Sequence, residues 1–83
     1  MDKEICRLCE LSPGTSGIIY KLPEELSLRR DLISIGIIPG NKITRELVSP
    51  CGDPSAYYIR DSLFSVRNSS AEKVIVMITE KDH

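Results

Sequence analysis

The chain has 83 residues and a net charge of −1, from eleven Lys and Arg against twelve Asp and Glu. That length gives one domain with a small core and no room for an internal active site. The charge balance argues against a general nucleic-acid binder and against a polybasic membrane anchor. With no Trp, one Phe and three Tyr, the core has to come mostly from Leu, Ile and Val.

The opening MDKEICRL is acidic and lacks an apolar stretch, so no secretion signal is expected there. The longest apolar run, Val74 to Ile78, is a strand's length and far short of a membrane span. Three cysteines are an odd number, which suits free thiols in a reducing compartment better than a closed disulfide framework. A cytoplasmic location is expected.

Glu4 to Leu11 is expected to form a first strand, turned at Ser12-Pro13-Gly14. Thr15 to Leu22 is richer in strand formers and predicts a second. Pro23 blocks a central strand and suits a helix start, and Glu24 and Glu25 sit where a helix N-terminus favours negative charge. Glu25 and Arg29 are spaced for an ion pair four residues apart. The helix then begins at Pro23 or after Ser27 as N-cap, and the sequence does not choose between them.

Within Leu26 to Gly40, around which the chain is organised, Leu28, Leu32 and Ile35 share one apolar helix face. Gly36 follows the last periodic residue, where a left-handed position ends a helix at little steric cost. Ile38-Pro39-Gly40-Asn41 carries the chemistry of a type II turn, so a strand can start at once.

Lys42 to Ser49 is expected as the third strand, with Ile43 and Leu47 on one face. Pro50-Cys51-Gly52-Asp53-Pro54 must be a loop. Ala56 to Arg60 and Leu63 to Arg67 alternate on either side of Asp61-Ser62, the pattern of a hairpin. Asn68 to Ala71 predicts one helical turn, and Lys73 to Thr79 a closing strand covered on both faces. One helix cannot cover both faces of five or six strands, whereas a sheet curled on itself buries its inner face and removes most free edges. The expected architecture is mainly β: a small SH3-like β-barrel, with one helix inserted between strands 2 and 3 as a plug over one open end.

The assembled blocks resemble a known family. Leu8-x-x-Leu11-x-x-Gly14 with Gly17-Ile18-Ile19 is similar to its opening motif, and Leu28-Arg29-Arg30-x-Leu32-x-x-Ile35-Gly36-x-x-Pro39-Gly40 to its most recognisable stretch. Pro50-x-Gly52-Asp53-Pro54 resembles its central loop, and Leu63-x-x-x-Arg67 with Ala71 and the strand from Val74 its closing segment. The family is that of ferrous iron transport protein A, FeoA. Departures are Asp61-Ser62 where members often have a turn glycine, Ser65 where a small apolar residue is common, and the lack of a basic excess. The resemblance implies a cytoplasmic accessory protein of bacterial ferrous iron uptake, with no catalysis of its own. Its implied partner is the cytoplasmic GTPase part of the FeoB-type membrane transporter. The same barrel occurs as the C-terminal domain of iron-dependent repressors, which makes a metal-sensing or regulatory domain the rival reading. This sequence carries no helix-turn-helix ahead of its barrel.

Cys6-x-x-Cys9 is the one pattern that suggests a metal, since thiophilic ions use such pairs when a second pair completes the shell. The further soft or nitrogen ligands are Cys51 and His83, and on an extended strand Cys6 and Cys9 point to opposite faces. Free thiols are therefore expected, with Cys6, Cys9 and Cys51 the candidates should a metal bind. Arg29, Arg30 and Arg67 could in principle supply a GTPase-activating arginine, against the plainer reading of solvated charge. Leu26 beside Arg29 and Arg30 suggests a partner-binding surface if exposed, or a hydrophobic staple if buried, and Leu22 is expected to be partly exposed with it. Asp53, between Gly52 and Pro54, reads as a turn residue bonding its own backbone. No Ser/His/Asp set and no glycine-rich phosphate loop is present, so neither a catalytic site nor a cofactor is expected.

Overall fold

The structure, a computed structural model, describes residues 4–46 and 53–78. Six strands run β1 (Glu4–Arg7), β2 (Ser16–Lys21), β3 (Lys42–Arg45), β4 (Ser55–Ile59), β5 (Ser62–Val66) and β6 (Ile75–Ile78). Helix α1 (Leu26–Ser34) lies between β2 and β3, and the single turn α2 (Asn68–Ala71) precedes β6. The strands form one sheet in the order β1-β6-β2-β3-β4-β5, every neighbour antiparallel. The fold is SH3-like, as the strand and helix pattern implied. Among the described residues the sheet curls without closing: β1 and β5 are its edges, so the expected removal of edges is incomplete.

The core is aliphatic apart from Tyr57. Leu8, Leu11, Ile19, Leu22, Leu32, Ile37, Ile43, Ile59, Val66, Val74 and Val76 are buried around it. From α1, Leu32 enters this core while Leu28 and Ile35 pack half-buried against it, as their spacing required. The helix ends where Gly36 was expected to stop it, with Gly36 at φ +99°. The Gly36 amide donates to Ile33 at 3.0 Å and the Ile37 amide to Leu32 at 3.0 Å, the paired bonds of a Schellman motif. Burial of Ile37 against Leu32 completes the motif's apolar contact. Gly40, at φ +98°, then turns the chain, and the Asn41 amide donates to Ile38 at 2.9 Å.

Several boundaries differ from expectation. Only Glu4–Arg7 of the first segment is strand; Leu8–Glu10 winds into a 3-10 turn because the Glu10 carboxylate accepts the Arg7 amide at 2.9 Å. Helix α1 starts neither at Pro23 nor after Ser27: Leu22 is drawn into the core, Pro23 and Glu24 bridge outward, and Glu25 becomes the N-cap. Its carboxylate accepts from Ser27 at 3.2 Å, so the expected pair with Arg29 is not made. The hairpin turn is Arg60-Asp61, one residue earlier than expected, because Ser62 pairs with Ile59. The last strand begins at Ile75, after an α2 turn that carries on through Lys73. Leu47 and most of the Pro50–Pro54 loop lie outside the described residues.

Candidate functional site

The sequence-predicted partner residues lie on the outer face of α1. Leu26 is 70% exposed, and Arg29 and Arg30 are exposed beside it. These are positions i, i+3 and i+4, which share one side of a helix. The staple reading of Leu26 fails, because a staple buries its side chain. Leu22, expected to accompany it at the surface, is buried instead.

Ile33, seven residues after Leu26, extends the same side and is 41% exposed; Ile38, beyond the Gly36 turn, is also exposed. The sequence reading attended to the inward stripe and missed Ile33, although the spacing from Leu26 was there to find it. The result is a stripe in which Leu26 and Ile33 flank Arg29 and Arg30, on the side away from the face that packs on the core. Arg67 lies off the stripe, exposed at the junction of β5 and α2, and lines a groove with Leu28 and Asp31 of α1.

Cys6 and Cys9 by themselves make a poor metal site. Cys6 lies on β1 and Cys9 in the 3-10 turn, both half-buried and both free thiols. Burial first, then the nearby Glu10, Cys9 and Glu4, raises the Cys6 thiol above its ordinary 9.0, opposing the thiolate a metal would need. Cys51 and His83 lie outside the described residues. Among the described residues no three His, Cys, Asp or Glu side chains are grouped to hold an ion.

A second polar centre, unforeseen from sequence, is structural. The Arg45 guanidinium donates to the carbonyls of Leu11 at 2.6 Å and Cys9 at 3.3 Å, and to the Ser55 hydroxyl at 3.2 Å. Ser55 in turn donates to Asn68 Oδ1 at 3.3 Å. Among the described residues Asp53 does not bond its own turn, contrary to expectation; its carboxylate accepts the Asn68 amide at 3.0 Å, satisfying an orphan donor at the start of α2. Cation and carboxylate are both used in holding elements together.

A profile of the FeoA domain matches residues 6–78. The chain belongs to the FeoA family. It is 31% identical over 70 residues to a Fe(2+) transport protein A/Fe(2+) transporter FeoB fusion protein of Porphyromonas gingivalis, a match covering 84% of this chain and 8% of that relative. It thus spans a small part of the curated relative it matches. A FeoA-like protein from Clostridium acetobutylicum superposes with a TM-score of 0.85 at 29% identity, over 100% of this chain and 95% of the other. At the level of fold alone, a manganese-dependent transcriptional repressor gives a TM-score of 0.81 at 14% identity, over 95% of this chain and 44% of the repressor. Membership of the FeoA family links the chain to ferrous iron transport. Among the described residues no helix is long and apolar enough to cross a membrane.

Proposed function

We propose that the chain is a non-enzymatic binding module of ferrous iron uptake. It docks on the cytoplasmic part of a FeoB-type membrane GTPase transporter through the outer stripe of α1. The observation that carries this reading is the fusion relative, in which one polypeptide joins transport protein A to the transporter. The stripe supplies what such a contact needs: Leu26 and Ile33 as apolar anchors, with Arg29 and Arg30 to steer and orient. The module acts by differential affinity, favouring one conformation of the transporter's cytoplasmic part and so shifting its population. Regulation by a bound metal has less support, resting on likeness of fold and on two thiols with no grouped third ligand among the described residues.

The test is binding of the purified chain to the transporter's cytoplasmic part by calorimetry, with GTP turnover followed in parallel. Leu26→Asp is expected to weaken binding about tenfold or more, as for an anchor near the centre of a contact. Its melting temperature should not move, because the side chain is already in water. Unchanged affinity removes Leu26 from the interface, and absence of any binding by the unaltered chain overturns the reading. A faster GTP turnover abolished by Arg29→Ala or Arg30→Ala alone would instead make the chain an activator through an inserted arginine.

A further inference from the structure

The two edges of the sheet are unlike. β1 carries Glu4 and Arg7 along EICR, the kind of charge that discourages pairing with another strand. β5 reads SLFSV and has no charge, no proline and no irregular pairing with β4. The two-residue turn closes on the Ile59–Ser62 pair, so Ser62, Phe64 and Val66 direct their peptide groups at β4. The Ala56 carbonyl, opposite Ser65, is committed to the Glu46 amide at 2.9 Å, which confirms that alternation independently. Leu63 and Ser65 therefore direct their N–H and C=O groups outward, and no described residue outside the strand bonds them.

The flanks of this edge are self-complementary. In an antiparallel pairing of two copies, outward-facing residues must oppose outward-facing residues, so only every second register is allowed. The register centred on Phe64 keeps all five strand residues paired. It sets Leu63 against Ser65 of the second copy and Asp61 against Arg67 of the second copy, each twice by symmetry. Asp61 and Arg67 are exposed and form no ion pair among the described residues. Moving the centre to Leu63 or Ser65 shortens the overlap and breaks both charge pairs. On the outer face, Leu63 is 50% and its cross-strand neighbour Tyr58 41% exposed. The Phe64 register brings the two Leu63 side chains into diagonal contact there.

We infer that β5 is a homodimerisation edge: two copies pair antiparallel through residues 62–66, in the register that sets Asp61 of each against Arg67 of the other. The contact is small beside the roughly 1,000 Å² of a stable interface, so the dimer is weak and forms in the high micromolar range or above. The β5 edge and its flanking charges stand whatever the α1 stripe binds, although Ile33 and Ile38 line a groove with Ser62 and Phe64.

Sedimentation equilibrium across a concentration series up to about 1 mM tests this, with backbone amide exchange as a second readout. The unaltered chain should show a monomer–dimer equilibrium, with protection of the Leu63 and Ser65 amides that rises with concentration. Asp61→Arg and Arg67→Asp, each alone, should weaken association about tenfold, and the double exchange D61R/R67D should restore it to within about twofold. Circular dichroism verifies that each variant is folded. With the native cysteines replaced by serine, an equal mixture of Leu63→Cys and Ser65→Cys chains should form mixed disulfides, and Leu63→Cys alone should not. A chain that stays monomeric at 1 mM overturns the proposal. So does a double exchange that fails to restore association, or a disulfide forming readily in the Leu63→Cys homodimer. Protection that appears only on adding the transporter's cytoplasmic part, and never with concentration, would show the second copy to be the wrong occupant.

Discussion

At the α1 end, the bonds that stop the helix and close the turn lie within a few residues, and only then is the turn tied to β2, through the Gly40 amide to Ile19 at 2.8 Å and the Ile19 amide to Asn41 at 2.9 Å. Gly36 bonds Ile33, Ile37 bonds Leu32, Asn41 bonds Ile38, and the Asn41 side-chain amide donates to the Gly36 carbonyl at 3.0 Å. At the α2 end the partners come from far apart: Arg45 reaches back to Leu11 and Cys9 and on to Ser55, and Asp53 holds Asn68. The two helix ends of one small protein thus differ in where their side-chain and capping bonds come from. Those that stop the first are made mostly within its own segment, whereas those that hold the second come from distant strands and loops.

The sharpest way to break that contrast is Arg45→Ala. It strips the donors from two carbonyls and from Ser55 at once, in a part-buried setting where water replaces them poorly. We expect a loss of about 3 kcal/mol in urea unfolding. Arg45→Lys should recover only part of it, since one ammonium cannot reproduce a fork that spans two carbonyls and a hydroxyl. A loss below about 1 kcal/mol would mean that the α2 end is held by packing alone.

At the local end, Gly36→Ala and Gly40→Ala separate crowding from backbone strain. Both positions have positive φ, but a Cβ on Gly36 would come 3.0 Å from Ile59 Cγ2, and one on Gly40 meets nothing within 4 Å. Strain alone gives about 1 kcal/mol at Gly40, and the added contact about 2 kcal/mol at Gly36, both read from the unfolding midpoint. Equal losses would show that Ile59 moves aside freely. Asp53→Ala should cost about 1 kcal/mol, the value of a cap that satisfies one helix-end amide. Its effect should shrink in an Arg45→Ala background if the α2 end is one coupled unit.

This contrast also decides what could be read in advance. The Leu28, Leu32 and Ile35 spacing, the Gly36 stop and the Pro39-Gly40 turn are short-range signals, and all appear where the sequence placed them. The Asp53–Asn68 bond spans fifteen residues and Arg45–Leu11 thirty-four, so neither leaves a periodicity or a motif behind. Glu10 ended the first strand early through one side-chain bond that strand propensity does not register. At the candidate site, Arg29 and Arg30 were legible as charge beside Leu26. The exposure of Leu26 was not, because it depended on whether Leu22 or Leu26 would be taken into the core. Ile33 is not legible from the Leu28, Leu32 and Ile35 periodicity, because it belongs with Leu26 on the opposite side of the helix.

The smallest expected effect lies at Tyr57, where the distant network touches the core. Its side chain is fully buried, and its hydroxyl lies beside Ser55 and Arg45 without a partner in bonding geometry among the described residues. Burial raises this phenol above the ordinary 10.0 of tyrosine, outweighing the opposite pull of Arg45 and Ser55. Tyr57→Phe removes a desolvated group that gains little in return, so stability near neutral pH should rise, by no more than about 1 kcal/mol. The sign of the alkaline behaviour follows from the same burial. Above the ordinary tyrosine pKa the unfolded chain sheds a proton that the folded chain retains, so unfolding becomes easier as pH climbs through the folded value. The Cys6 thiol, also raised, contributes in the same direction in both proteins, so the informative quantity is the difference between them. The unaltered chain should lose stability relative to Tyr57→Phe on raising the pH from 9 to 11, as followed by urea unfolding. If the two fall in parallel, the hydroxyl has a partner that stabilises its ionised form, and the network around Arg45 extends into the core.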